Sequence, residues 1–182
     1  MLPRTINLRN GDSIILRQLS KEDLDDIWNI FNEVVEEKQY IPVINPVTSR
    51  FEKENWYFHQ KDEDNIVIVA ETENYIVGQC MIEHTCWDAA SHVGELGIII
   101  SGKYRNIGLG EYLILEALKA AQDKAFEKVC LSCFHTNIRA LNLYKRIGFR
   151  KVGLRERQFK IDGRIFDEIL MELWLTDLKL KK

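Results

Sequence analysis

The sequence lacks any long apolar run. Its richest stretches, such as ELGIIIS, extend for only a few residues, far short of the roughly 20 that a helix needs to cross a bilayer, so no membrane-spanning role is expected. The amino-terminal MLPRTINLRNGDS has neither the apolar core nor the small-residue cleavage site of a secretory leader, and a cytoplasmic protein is expected. An excess of one charge is missing too: 25 Lys and Arg stand against 28 Asp and Glu, a formal net charge of -3. That leaves no broad basic field to draw in nucleic acid. Proline is scarce, at 3 residues, and glycine numbers only 10. With 46% apolar and 29% charged residues, the composition excludes a disordered or fibrous chain, and 182 residues suit one domain spanning 1–182.

Cysteine is sparse, at 4 residues, and in a reducing compartment these are expected as thiols. Cys130 and Cys133 have the C-x-x-C spacing of redox and zinc sites. They fall in VCLSCF, which reads as a strand, and residues three apart on a strand point to opposite faces. Buried thiols are therefore expected there and no metal. Cys80, His84 and Cys86 share one strand face by the same parity, which makes them candidates for a cleft.

What is present is a mixture of hairpins and helices. Asn10-Gly11, Glu73-Asn74 and Asp162-Gly163 stand between apolar runs as hairpin turns. Ser20 with Asp23 three residues on opens an amphipathic helix over about 21–37, carried by Leu24, Ile27, Trp28, Phe31, Val34 and Val35. The stretch QYIPVINPVTSRF holds two of the prolines and reads as an ordered loop, followed by a short helix from Phe51 to Gln60. In the middle, the strand HVGELGIIIS runs through a glycine-bearing turn into a long helix, IGLGEYLILEALKAAQDKAF, and then a second strand, KVCLSCF. Strand, crossover helix and strand make one βαβ unit in an otherwise antiparallel sheet. A last helix, Asn137 to Ile147, ends at Gly148 as its C-cap. The fold class is α+β, with no internal repeat and no charge run except Lys179 to Lys182.

The turn before the long helix, Tyr104-Arg105-Asn106-Ile107-Gly108-Leu109-Gly110, has the form Arg-x-x-Gly-x-Gly. The first N–H groups of a helix lack internal partners and carry partial positive charge, so small residues there can wrap a phosphate in backbone donors. A Walker A loop would need Lys and Ser/Thr after Gly110, where Glu111 and Tyr112 stand. A dinucleotide loop would need a third glycine at Leu113 and further βαβ units, which are absent.

Over nearly its full length the sequence resembles the GNAT superfamily of N-acetyltransferases. The resemblance is carried by the order of elements: ELGIIIS, Arg105 to Gly110, a long helix, KVCLSCF, and Asn137-x-x-Ala140-x-x-x-Tyr144 followed by Gly148-Phe149. The ending GFRKVGLRERQFKIDGRIFDEILMEL is similar to acetyltransferases of amino acids, polyamines and protein amines. The resemblance implies a mostly antiparallel, twisted sheet of about seven strands with about four helices, in which ELGIIIS and VCLSCF splay apart to hold coenzyme A.

It also implies roles. Backbone groups of Ile98 and Ile100 would hold the pantetheine arm as an added strand holds its neighbour, with Ile99 between them also counted at the coenzyme site, and the Ile98 N–H would meet the charge that develops on the acetyl oxygen. Amides from Asn106, Ile107, Gly108, Leu109 and Gly110 would take the diphosphate, with Arg105 for its charge. Asn137 and Ala140 would meet the pantetheine, and Lys145 or Arg146 the nucleotide end. Tyr144 is the candidate acid for the leaving thiolate. Glu95 is the leading base, in a stretch that reads as too apolar to carry a carboxylate without a task or a partner; Glu83, His84 or ordered water are reserves.

Acceptor selection is expected from Glu33, Glu36 and Glu37, from the Pro42 to Pro46 loop and from the hairpin around 160–165. Trp28, Trp56, Trp87 and Trp174 read as core. The expected activity is transfer of acetyl from acetyl-CoA to an amine without a covalent enzyme intermediate or a metal. A non-catalytic acyl-CoA sensor, another acyl donor and a homodimer remain compatible with the sequence.

Overall fold

The computed structural model describes residues 2–73 and 75–178. The turn at Asn74 and the Lys179 to Lys182 tail lie outside the described residues. In chain order the elements are β1 (Arg4–Asn7), β2 (Ser13–Gln18), α1 (Leu24–Glu36), α2 (Arg50–Asp62), β3 (Ile66–Glu71), β4 (Ile76–His84), β5 (Val93–Ile100), α3 (Leu109–Asp123), β6 (Lys128–Phe134), α4 (Ile138–Ile147), β7 (Arg150–Ile161) and β8 (Arg164–Trp174). The α+β class and the single βαβ unit are as expected. The sheet has eight strands where about seven were expected, in the order β1-β2-β3-β4-β5-β6-β8-β7.

Only β5 and β6 run parallel, joined by α3. Alternation along the strands divides the side chains between two layers. On one face, Cys80 and Ile82 of β4, Leu96 of β5 and Leu131 and Cys133 of β6 pack with Leu113, Ile114, Ala117 and Leu118 of α3 and Leu141 and Tyr144 of α4. On the other, Met81 and Ile99 pack with Ile27 and Ile30 of α1 and with Trp56 and Tyr57 of α2. The buried residues of α3 include Leu109, Leu113, Ile114, Ala117, Leu118 and Ala121. Each leucine removed from water there contributes about 1.5–3 kcal/mol, so α3 is the beam against which the sheet is set.

Turn chemistry holds in part. Asp162 and Gly163 have φ of +49° and +80°, as a two-residue hairpin between β7 and β8 requires. In the first hairpin only Gly11 has a positive φ. Its strands end at Asn7 and Ser13, so the connection is a longer loop, closed by the Leu8 N–H on the Asp12 carbonyl at 2.9 Å. The helix expected over 21–37 opens as a 3₁₀ turn at Lys21–Asp23. There the Asp23 carboxylate accepts the Ser20 N–H at 2.7 Å and two guanidinium bonds from Arg17, each 2.7 Å. Burial alone pushes the Asp23 carboxyl up, but these donors outweigh it and hold the group below the ordinary range.

Some expectations about single residues are overturned. Trp87 is 73% exposed, not core, because the chain leaves the sheet after His84 and forms a 3₁₀ turn at Asp88–Ala90. For the same reason Cys86 does not share a face with Cys80. It lies beyond the end of β4 and is exposed, whereas Cys80 is buried under α3. His84 is exposed beside the ring of Phe126. Cys130 and Cys133 do lie on opposite faces, but only Cys133 is buried, and Cys130 is half-buried.

Candidate active site

β5 and β6 are in register only at Val93–Lys128, Gly94–Val129 and Glu95–Cys130. Beyond that, β5 continues along β4 to Ile100 and β6 continues along β8 to Phe134. The two strands have different partners and part like the arms of a V. A cavity of about 570 Å³ fills the opening, within the range of small-molecule sites. Ile98, Ile99 and Ile100 form one wall, Ser132, Cys133 and Phe134 the other, and Asn137, Ala140 and Tyr144 the α4 side.

The backbone of β5 is divided along this edge. The Ile100 carbonyl accepts Nε of Arg105 at 2.8 Å, so it points into the gap rather than toward β4. Ile98, two residues earlier, has its backbone groups on the same edge. Ile99 turns its backbone to β4 opposite Gln79 and its side chain to the α1 layer.

At the head of the gap the chain makes the turn that precedes α3. Asn106 and Gly108 have φ of +67° and +99°, and Gly108 is the N-cap, with no side-chain hydrogen bond to close the helix start. The N–H groups of Asn106, Ile107, Gly108, Leu109 and Gly110 find no acceptor among the described residues. Donors left open in this way, with the helix dipole behind them, form an anion cradle. Glycine is required at Gly108 by its φ. At Gly110 the constraint is packing: a Cβ there would stand 3.2 Å from Cδ2 of Leu143 and 3.3 Å from Cδ1 of Ile100. The side chains of Ile107 and Leu109 belong to the core rather than to the cavity.

Arg105 reaches the cavity but is engaged. Its terminal nitrogens hold the Glu37 carboxylate at 2.8 and 2.5 Å, its guanidinium lies 4.8 Å from the Tyr40 ring centre, and the Glu37 hydrogen bonds push its pKa up. Arg146 is likewise tied, to Glu111 at 3.3 Å. The Oδ1 of Asn137 caps α4 by accepting the Ala140 N–H at 3.3 Å, which leaves its amide NH2 for a ligand. Tyr144 is 6% exposed. Its hydroxyl has no hydrogen-bond partner among the described residues, and burial pushes the phenol up. Cys133, near it, is pushed up to about 12 by burial.

Glu95 departs from what the sequence suggested. It is exposed and does not line the cavity. The apolar run around it packs on α3 through Leu96, whereas Glu95 belongs to the alternate face, beside Gly97, which does line the cavity. Directly across β4 is Glu83, held by Nε2 of Gln60 at 2.6 Å.

Of the acidic cluster expected to select the acceptor, Glu33 and Glu37 are committed elsewhere, while Glu36 is exposed. Glu33 accepts the Ser101 hydroxyl at 3.1 Å and the Gly102 N–H at 3.4 Å, and Glu37 takes Arg105. The loop after α1 is fixed at both ends. Lys38 bonds Asp162 at 2.6 Å and its carbonyl accepts Arg164 at 3.1 Å, while the Asn32 side chain pairs with both backbone groups of Val47 at 2.9 and 2.8 Å. Between these anchors Tyr40, Ile41 and Pro42 line the cavity. Sequence reasoning did not single out Arg9, Ser132, Phe134, Arg139 or Phe159, which also line it. None is a defining residue of a motif, although Arg139 falls between Asn137 and Ala140 and parity along β6 places Phe134 with Ser132.

A family model described as "Acetyltransferase (GNAT) family" matches residues 24–149, from α1 through the end of α4. The chain belongs to this family. It is an acetyltransferase, and its acceptor is an amine. YwnH of Bacillus subtilis (strain 168), which carries a phosphinothricin acetyltransferase name, is 28% identical over 154 residues, covering 84% of this chain and 93% of the relative. The L-amino acid N-acetyltransferase AaaT of Escherichia coli (strain K12) is 25% identical over 105 residues, 57% of this chain and 65% of the relative. Among solved structures, a phosphinothricin acetyltransferase from Sinorhizobium meliloti, in complex with AcCoA, superposes with a TM-score of 0.85 at 21% identity, covering 93% of this chain and 92% of that one. This GNAT chain thus shares its fold with a coenzyme-bound relative. Among the described residues, no helix is long and apolar enough to cross a membrane.

Proposed function

We propose that this chain transfers an acetyl group from acetyl-CoA to the amine of an amino-acid-like small molecule by direct attack. The observation that carries the reading is the unbroken row of unpartnered amides, Asn106 to Gly110, at the head of a gap between parting strands. The coenzyme supplies an acetyl group activated as a thioester. For its part, the chain offers backbone donors for the diphosphate, the free edge of Ile98 for the pantetheine, and the Asn137 amide NH2.

Tyr144 is the proposed proton donor to the departing sulfur. A phenol raised by burial stays protonated through the working pH range, and a hydroxyl with no protein partner keeps its proton for a ligand. Glu95 is the proposed proton acceptor, acting through water. It is exposed on the face it shares with Gly97, roughly 7 Å further along the strand, and it is the freer member of its pair because Gln60 holds Glu83.

The acceptor class follows from charge and lining. A polyamine would be drawn by several open carboxylates together, and of Glu33, Glu36 and Glu37 only Glu36 is open among the described residues, with Glu33 and Glu37 closed. Tyr40, Ile41, Pro42, Phe134 and Phe159 make an apolar surround suited to a compact substrate, and the names of YwnH and AaaT point the same way. The test is to incubate the protein with acetyl-CoA and a panel of amino acids, polyamines and peptide amino termini while following free thiol. Thiol release with amino-acid-type amines is expected. Silence across the panel would overturn the activity, and a preference for polyamines would overturn the acceptor class.

A further inference from the structure

The diphosphate turn is short of a cation. Backbone amides carry only partial charge, and a diphosphate is bound best where a full positive charge joins them. Arg105, at the motif position for that charge, is engaged through all three of its nitrogens. Its Nε is on the Ile100 carbonyl, both terminal nitrogens are on Glu37, and its flat face is toward Tyr40. Releasing it would leave Glu37, with 27% side-chain exposure, without its partner. Arg146 is held by Glu111.

Arg9 is differently placed. Its backbone N–H donates to the Ile107 carbonyl at 3.2 Å, which pins the loop between β1 and β2 onto the turn itself. Its Nε stands 3.7 Å from where a Cβ on Gly108 would be, and it lines the cavity. The guanidinium forms no ion pair or hydrogen bond among the described residues. The nearby acid of its own loop, Asp12, is taken by Asn10 at 2.8 Å. An exposed, uncommitted guanidinium beside a row of open amides completes an anion site from a segment that precedes the matched family region.

We infer that Arg9 supplies the positive charge for the coenzyme's diphosphate, and that Arg105 instead braces α1 against the turn. The inference rests on the acetyl-CoA reading of the cavity. A planar fork matches phosphate oxygens better than an ammonium does, and the loop that carries it is anchored by backbone rather than by side chains, which leaves the guanidinium free to close on a ligand.

The test uses the full chain and calorimetric titration with CoA and with dephospho-CoA, which keeps the diphosphate but lacks the 3′-phosphate. In Arg9→Gln, CoA affinity is expected to fall about tenfold to a hundredfold, with the same loss for dephospho-CoA. The melting temperature of the free protein should be unchanged. Arg9→Lys should recover part of the affinity, and added salt should weaken the wild type more steeply than Arg9→Gln. Arg105→Gln should instead lower the melting temperature of the free protein. Unchanged CoA affinity in Arg9→Gln would overturn the inference. A loss that vanishes with dephospho-CoA would also overturn it, by moving Arg9 to the 3′-phosphate, as would a lowered melting temperature, which would mark a structural residue. Absence of CoA binding by the wild type would instead remove the underlying coenzyme reading, a different failure.

Discussion

The two helices that flank the cavity begin in opposite ways. α3 starts at Gly108, with no side chain to cap it and a row of amides left open. α4 starts at Asn137, whose side chain accepts the Ala140 N–H. Both starts stand at the same cleft, yet one is open and the other closed. An uncapped start forgoes about 1 kcal/mol of helix stability, which α3 offsets by burying most of one face in the core. The short α4, with Leu141 and Tyr144 as its buried residues, has no such reserve and needs its cap. The contrast teaches that α3 presents open backbone donors to the cleft and α4 presents side chains.

The most damaging single substitution on this view is a side chain of α4. Tyr144→Phe should lower kcat by about a hundredfold or more while CoA affinity stays within about twofold, as steady-state kinetics and titration will read. An equal loss in kcat and in affinity would mean that the phenol holds the ligand rather than donating its proton.

On α3 only the backbone should be sensitive. Gly108→Ala forces a side chain into a left-handed conformation at a cost of about 1–2 kcal/mol and should weaken CoA about tenfold. Gly110→Ala should do less, because its methyl would meet the movable tips of Leu143 and Ile100. If titration ranks the two variants the other way, backbone conformation is not what shapes the cradle.

The closed helix start gives a smaller effect. Asn137→Ala should lower stability by about 1 kcal/mol in chemical denaturation. Asn137→Asp should restore the cap but not the amide NH2, so stability returns while CoA binding stays weakened. Full recovery of both would leave the amide without a ligand role.

Smallest is an alkaline effect from the layer beneath α4. Burial raises the thiols of Cys80 and Cys133 above the ordinary 9.0 and the phenol of Tyr144 above 10.0. The unfolded chain therefore loses these protons first, and the stability they represent is fully present only well below 9 and declines as pH approaches and passes it. Between pH 8 and 9 the loss should be a fraction of a kcal/mol, visible as a falling melting temperature and absent in a Cys80→Ala, Cys133→Ala variant once its own baseline is subtracted.

Much of this was legible in the chain. The βαβ unit, the Asp162-Gly163 hairpin and the helices at α3 and α4 follow from local periodicity and turn chemistry, which act within a few residues. The glycine-bearing turn with open amides before α3 was legible because two glycines at a helix start leave a local signature. The state of charged residues was not. Arg105 reads as free until Glu37, 68 residues away, is seen beside it. Glu95 reads as set in an apolar stretch until β5 is seen to leave its side chain exposed. Arg9 carried no signal, since its place beside the turn comes from the Ile107 carbonyl, which is distant in the chain but bonded to its N–H.

What the sequence alone determined, then, is the order of elements, the α+β class, the family resemblance and the open amides at the start of α3, all set by interactions between near neighbours. Tertiary structure decided which charges are committed and which stay available, because an ion pair depends on the meeting of residues that the chain keeps far apart. It also decided where β5 and β6 part, since each strand follows the neighbour that offers it the longer ladder of hydrogen bonds.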